Sequence, residues 1–149
     1  MKKKVIIQKE EIDITALISQ LGTEGDGAVV AFTGRARNMS RGKSVDHLEY
    51  EIYNSMALKE LQRIVDEAAE KWALNNCVVI HRYGSVAVGE TSIFIGISSP
   101  HRDESYESSR YIIDEIKKRV PVWKKEFYRD GSSWIIPGNT AGTSATPMI

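Results

Sequence analysis

The chain has 149 residues, which fits one domain with a real core. Lys plus Arg total 20 and Asp plus Glu total 20, so the net charge is zero. That balance argues against broad nucleic-acid or membrane binding, which needs a basic excess, but leaves room for a local anion site. No stretch approaches the roughly 18 apolar residues of a membrane span. The basic start "MKKK" leads into an apolar run too short for a signal peptide, so a cytoplasmic setting is expected. The single cysteine, Cys77, sits beside Val78, Val79 and Ile80 and reads as a buried, inert strand thiol. His47, His81 and His101 are far apart and no HExxH or CxxC occurs, so neither a metal site nor a cofactor is implied.

In chain order, "KVIIQKE" is a short strand, and "DITALISQL" places Ile14, Leu17, Ile18 and Leu21 at helical spacing behind Asp13 as cap. "GDGAVVAFTG" (25–34) is a strand between glycines, followed by a polar, basic loop. "SVDHLEYEIY" (44–53) alternates like a strand except at Val45. Residues 54–74 form a helix with a stripe of Ala57, Leu61, Ile64, Val65, Ala68 and Trp72. "NCVVIHRYG" and "ETSIFIGISS" are strands joined by "SVAVG". A second long helix is predicted from about Pro100 to Val120, with Ser99 as cap and Pro121 as its stop. Its core face should carry Tyr106, Ser109, Ile113, Ile116 and Val120. "VWKKEFY" and "SSWII" close the list of strands. The fold class is α+β, with residues 1–136 as one domain and 137–149 as a mobile tail rich in Pro, Gly, Ser and Thr.

Three groups of basic residues ask for an explanation beyond solubility. "KKRVPVWKKE" (117–126) places five cations within nine residues. Lys118 and Arg119 have acidic neighbours one turn back, Asp114 and Glu115. Lys117 lies about 40° from Ile113 on a helical wheel, at the edge of the buried face. After Pro121 the period becomes two, so Lys124 and Glu126 share one strand face and Trp123, Lys125 and Phe127 the other. Lys117 and Lys124 can therefore converge across the proline turn. Two snorkelling lysines would account for the same pattern.

"SSPHRDES" (98–105) puts His101 and Arg102 at a helix start, where free N–H groups already favour an anion. Local neutralisation by Asp103 and Glu104 is the plainer alternative. In "GRARNMSRGKS" (34–44), Arg35, Arg37, Arg41 and Lys43 sit among small polar residues. The ending resembles a P-loop but carries Arg37 where glycine is needed, and a strand follows instead of a helix. A mobile basic loop able to close on a phosphate is the better reading; a solubilising loop is the other.

"GAVVAFTGRARN", "VIHRYG", "SPHR" before a long helix, and "KKRVPVWKKE" together, in that order, resemble the large, catalytic subunit family of molybdopterin synthase. The match covers about Gly27 to Trp134. The resemblance implies an α/β hammerhead-type domain of mixed and antiparallel strands, with two long helices and an added small antiparallel subdomain. It implies conversion of a cyclic pyranopterin monophosphate (precursor Z) to molybdopterin. Two sulfurs would come from the C-terminal thiocarboxylate of a small ubiquitin-like sulfur-carrier subunit, in a heterotetramer built on a homodimer of large subunits. It places catalytic roles on Lys117 and Lys124, and substrate binding on Arg37, His101 and Arg102. One departure is that no charged residue follows Trp134, where the family's site can be completed. Arg35 or Arg41 of a neighbouring subunit is an alternative source of charge. Read without the resemblance, the same residues also fit a Schiff-base lyase with Lys117 as amine, or a non-catalytic module that binds a peptide tail.

Overall fold

The computed structural model describes residues 1–136; the expected mobile tail, 137–149, lies outside the described residues. Nine strands and three helices run in the order β1 (Lys2–Gln8), α1 (Ile14–Ser19), β2 (Ala28–Arg35), β3 (Met39–Ser40), β4 (Lys43–Ile52), α2 (Asn54–Lys71), β5 (Asn76–Arg82), β6 (Gly84–Ala87), β7 (Thr91–Ser99), α3 (Arg102–Arg119), β8 (Val122–Tyr128) and β9 (Ser133–Ile136).

Two sheets result. The first has the order β1-β5-β7-β2, with β1 parallel to β5 and the other pairs antiparallel. β5 and β7 are buried along their whole length, as central strands covered on both faces must be. Cys77, Val79, Ile93, Ile95 and Ile97 face the main core beneath α2 and α3. Val78, Ile80 and Phe94 face the other way, against Leu17 and Leu21 of α1 and its end. Asp13 caps α1 as expected, accepting from the Ala16 amide at 3.1 Å. The expected stripe of α2 is buried from Ala57 to Ala68, although the helix ends at Lys71, short of residue 74.

The second sheet is antiparallel, β3-β4-β8-β9, with β6 on the same edge of β4 as β3. The mixed sheet, two long helices and separate antiparallel sheet bear out the α+β hammerhead-type fold. Strand β6 lies in the stretch expected as a plain connection. The irregular phase at Val45 has a local cause: a bulge between Val45 and His47 resets the alternation, so Val45, Leu48 and Tyr50 all point inward.

Three expectations are corrected. The basic loop is a tight hairpin of β3 and β4, turned by Arg41 (φ 55°) and Gly42 (φ 74°), both left-handed as such two-residue turns require. The core face of α3 is rotated by about one residue: Ser105, Ser108, Ser109, Ile112 and Ile116 are buried, while Tyr106 is 63% exposed. The serines allow close approach to β2 and β7, and their hydroxyls find acceptors locally: Ser109 donates to the Tyr106 carbonyl at 3.0 Å, and Ser99 and Ser105 bond each other. The N-cap of α3 is His101, not Ser99, and Pro100 stands outside the helix.

Candidate functional site

Strand alternation in β8 places Val122, Lys124, Glu126 and Tyr128 on the buried face. Two charged groups therefore occupy core positions: Lys124 is 3% exposed and Glu126 2%. Their Nζ and Oε2 atoms are 3.8 Å apart. The other carboxylate oxygen of Glu126 accepts from Ser40 Oγ (2.9 Å) and Tyr128 OH (2.8 Å). The carboxylate is thus fixed from the hairpin and from its own strand while it faces the ammonium. Tyr128 shows the expected electrostatic consequence, its phenol pushed up to about 12 by burial and by its bond to Glu126.

Lys124 is held below the ordinary lysine value, first by desolvation. Glu126 opposes that shift, while the positive charges of Arg37 and Lys117 add to it. The charges of three of the residues expected at a site therefore act on one another. Arg37 lies beyond the end of β2, Lys117 in the last turn of α3 and Lys124 on β8. A cleft lined by Arg35, Arg37, Met39, Ser40, Leu48, Lys124 and Glu126 opens between Arg37 and Lys124. Lys117 is half-buried, at the edge of its helix's core face, as its wheel position indicates.

His101 and Arg102 do not join this group within one chain. They stand exposed at the N-terminus of the 18-residue α3. At 1.5 Å rise per residue, His101 is roughly 24 Å along the axis from Lys117. His101 makes no side-chain capping bond. Of the other cations in the cluster sequences, Arg35 donates to the Gly89 carbonyl (2.8 and 3.1 Å), and Lys43 pairs with Asp130 (3.2 Å). Arg119 binds Glu60, Glu67 and Glu115, and Lys118 pairs with Glu115 rather than Asp114.

The remaining titratable candidates are structural. The Cys77 thiol is pushed up to about 12 by burial, which makes it a poor nucleophile. Fully buried His81 is lowered to about 4 and remains neutral, with Nδ1 2.9 Å from the Arg82 carbonyl. His47 stacks on Phe127 with ring centroids 4.4 Å apart.

Sequence reasoning had placed Glu126 on the face of Lys124 without giving it a role; Ser40 and Tyr128 it missed. The available signal was the phase of β8, which puts two charged residues where the neighbouring alternate positions are Val122 and Tyr128.

Comparison with known proteins decides the family. The model of the MoaE protein family matches residues 7–119. The chain belongs to the MoaE family, the catalytic subunits of molybdopterin synthase. It is 39% identical over 136 residues to the molybdopterin synthase catalytic subunit of Pyrococcus abyssi, covering 90% of this chain and 92% of that one. The Halalkalibacterium halodurans subunit is 38% identical over 145 residues, covering 97% and 92%. The crystal structure of molybdopterin synthase from Staphylococcus aureus superposes with a TM-score of 0.80 at 39% identity, over 87% of this chain and 93% of that one. A complex of subunits 1 and 2 of the molybdopterin-converting factor from Helicobacter pylori shares the fold, with a TM-score of 0.70 at 18% identity, over 97% and 93%. The MoaE match includes Arg37, His101, Arg102 and Lys117 and stops before Lys124. No helix among the described residues is long and apolar enough to cross a membrane.

Proposed function

We propose that Arg37, Lys117 and Lys124 form the reaction centre at which this enzyme converts a cyclic pyranopterin monophosphate to molybdopterin. The observation that carries this reading is a buried lysine that shares a cleft with Arg37 and feels the charge of Lys117 from the end of α3, in a chain of the MoaE family. Two sulfurs come from the C-terminal thiocarboxylate of a small ubiquitin-like partner. The Helicobacter pylori complex, which pairs subunits 1 and 2 of the molybdopterin-converting factor, supports such a partner here. The buried Cys77 thiol makes this chain a poor sulfur donor, which also favours an external source.

Each side chain has a role suited to its surroundings. Lys117, half-buried, orients the anionic thiocarboxylate and stabilises charge that develops on its carbonyl oxygen as sulfur is transferred. Lys124, whose proton is held less tightly than in an ordinary lysine, binds the pterin or moves a proton. Arg37 is exposed beside the cleft and supplies a fork of donors to the substrate phosphate. His101 and Arg102 anchor the substrate only if a second copy presents them, because the rigid length of α3 separates them from Lys117 in one chain. A homodimer of this chain, capped by two small partners, satisfies that requirement, and the assembly acts in the cytoplasm.

The test is reconstitution with precursor Z and a thiocarboxylated small subunit, assaying molybdopterin as its fluorescent oxidation product. Lys117→Ala should fold normally, bind the partner and give no product. A fully active, folded Lys117→Ala enzyme would remove Lys117 from the mechanism.

A further inference from the structure

Trp134 is the one large aromatic residue on the site face of β9. The register Glu126↔Trp134 and Lys124↔Ile136 sets the indole on the same sheet face as the buried ion pair. A directly opposed cross-strand pair lies about 5 Å apart and a diagonal one about 7–8 Å, so the ring is within one side-chain length of Lys124. Ile136 on that face is buried, yet Trp134 is 49% exposed. Core packing does not explain an indole left half in water beside a charged cleft.

The hairpin that walls the cleft reaches over to this ring. The guanidinium carbon of Arg41 lies 4.1 Å from the indole centroid. Arg41 is also the one non-glycine residue with positive φ among the described residues, an unfavourable conformation for a side chain of its kind. The hairpin is tied down on both sides of it, by Ser40 to Glu126 (2.9 Å) and by Lys43 to Ser132 (3.0 Å) and Asp130 (3.2 Å). A strained arginine is therefore held stacked on a half-exposed indole, next to the carboxylate that faces Lys124.

We infer that the Arg41–Trp134 pair is the ring-binding platform of the site. A flat, fused heteroaromatic ring stacks on the open part of the indole, while Arg41 fixes the plane of that indole. This rests on the reading above, in which the substrate is a pterin phosphate: the platform takes the ring, Arg37 the phosphate, and Lys124 lies beside the ring. Stacking on an indole tolerates varied ring substituents, so the platform supplies affinity for the ring rather than chemistry.

The experiment uses the full chain with its thiocarboxylated small partner and precursor Z as the varied substrate. Trp134→Leu should raise KM roughly tenfold, which corresponds to about 1.4 kcal/mol, with kcat within about threefold. Trp134→Phe, which keeps a stacking surface, should stay within about threefold in KM. Arg41→Gly relieves the left-handed strain, so it should unfold at equal or higher urea while raising KM about threefold or more. A purely structural role cannot move stability and KM in those opposite senses. KM within twofold of the parent in both Trp134→Leu and Arg41→Gly overturns the inference. So does weakened small-partner binding with unchanged KM, which would make the pair a protein contact. Absence of turnover in the parent complex, with partner bound, would instead overturn the proposed function, and this inference with it.

Discussion

Replacing Glu126 by Gln isolates the electrostatics at the centre, because the two side chains differ in charge more than in shape. In the native protein the carboxylate stands 3.8 Å from the Lys124 ammonium, and both groups are buried. A unit-charge pair near 4 Å is worth about 4 kcal/mol at an effective permittivity of about 20. That attraction opposes desolvation and the repulsion from Arg37 and Lys117, which together hold Lys124 below its ordinary 10.5. The amide retains an acceptor for Ser40 or Tyr128 but no charge for the lysine. Breaking one side of a buried pair costs about 3–5 kcal/mol; release of the lysine proton offsets part of it, so a loss of ~2–4 kcal/mol at pH 7 is expected.

The pH dependence has a definite sign. A lysine whose folded value is depressed binds fewer protons in the folded state than in the unfolded one, between its folded value and 10.5. Its contribution to stability therefore rises with pH across that window. In Glu126→Gln the folded value is depressed further, so the rise begins at lower pH, and the deficit against the parent shrinks as pH increases. Urea denaturation at intervals from pH 7 to pH 10 reads this directly. The activity limb that reports Lys124 should move to lower pH in the same variant. A stability deficit that stays constant from pH 7 to pH 10, with an unmoved activity limb, would refute the pairing of Glu126 with Lys124.

Two further expectations concern the frame. Arg119→Met keeps the stem but removes the guanidinium that, with the Tyr111 hydroxyl, holds Glu67 at about 2. After discounting for the partial exposure of the pair, urea denaturation should show a loss of ~1–2 kcal/mol at pH 7, and the two proteins should converge as pH falls from about 4.5 toward 2, where that carboxylate loses its charge. Gly27→Ala would place a methyl 2.4 Å from the Pro100 carbonyl oxygen, against backbone that also accepts from the Gly27 amide. A loss of ~1–3 kcal/mol in urea denaturation is expected, with a raised KM because the turn carrying His101 and Arg102 must shift.

Much of the frame was legible because each element announces itself locally. Asp13 and the apolar spacing behind it specify α1, and the stripe from Ala57 to Ala68 specifies α2 whatever it packs against. The phase of "VWKKEFY" was enough to put Lys124 and Glu126 together. The face of α3 was misread because an aromatic ring such as that of Tyr106 is more often buried than a serine such as Ser105 or Ser108. In the folded protein close helix–sheet approach favours the small serines, and the tyrosine is left outside. Strands β3 and β6 are too short to show a period, and they exist because β4 offers them an edge.

By itself the sequence determined the longer elements, the strand phase that buries a lysine beside a glutamate, and the motif order that marks the family. Periodicity reports which way a side chain points along its own element, and nothing more. Only the tertiary structure decided that the charges of Arg37 and Lys117 bear on the buried Lys124, and that His101 and Arg102 stand at the far end of a rigid helix. Distances between elements are set by packing and by strand pairing across the fold, and no local pattern encodes them.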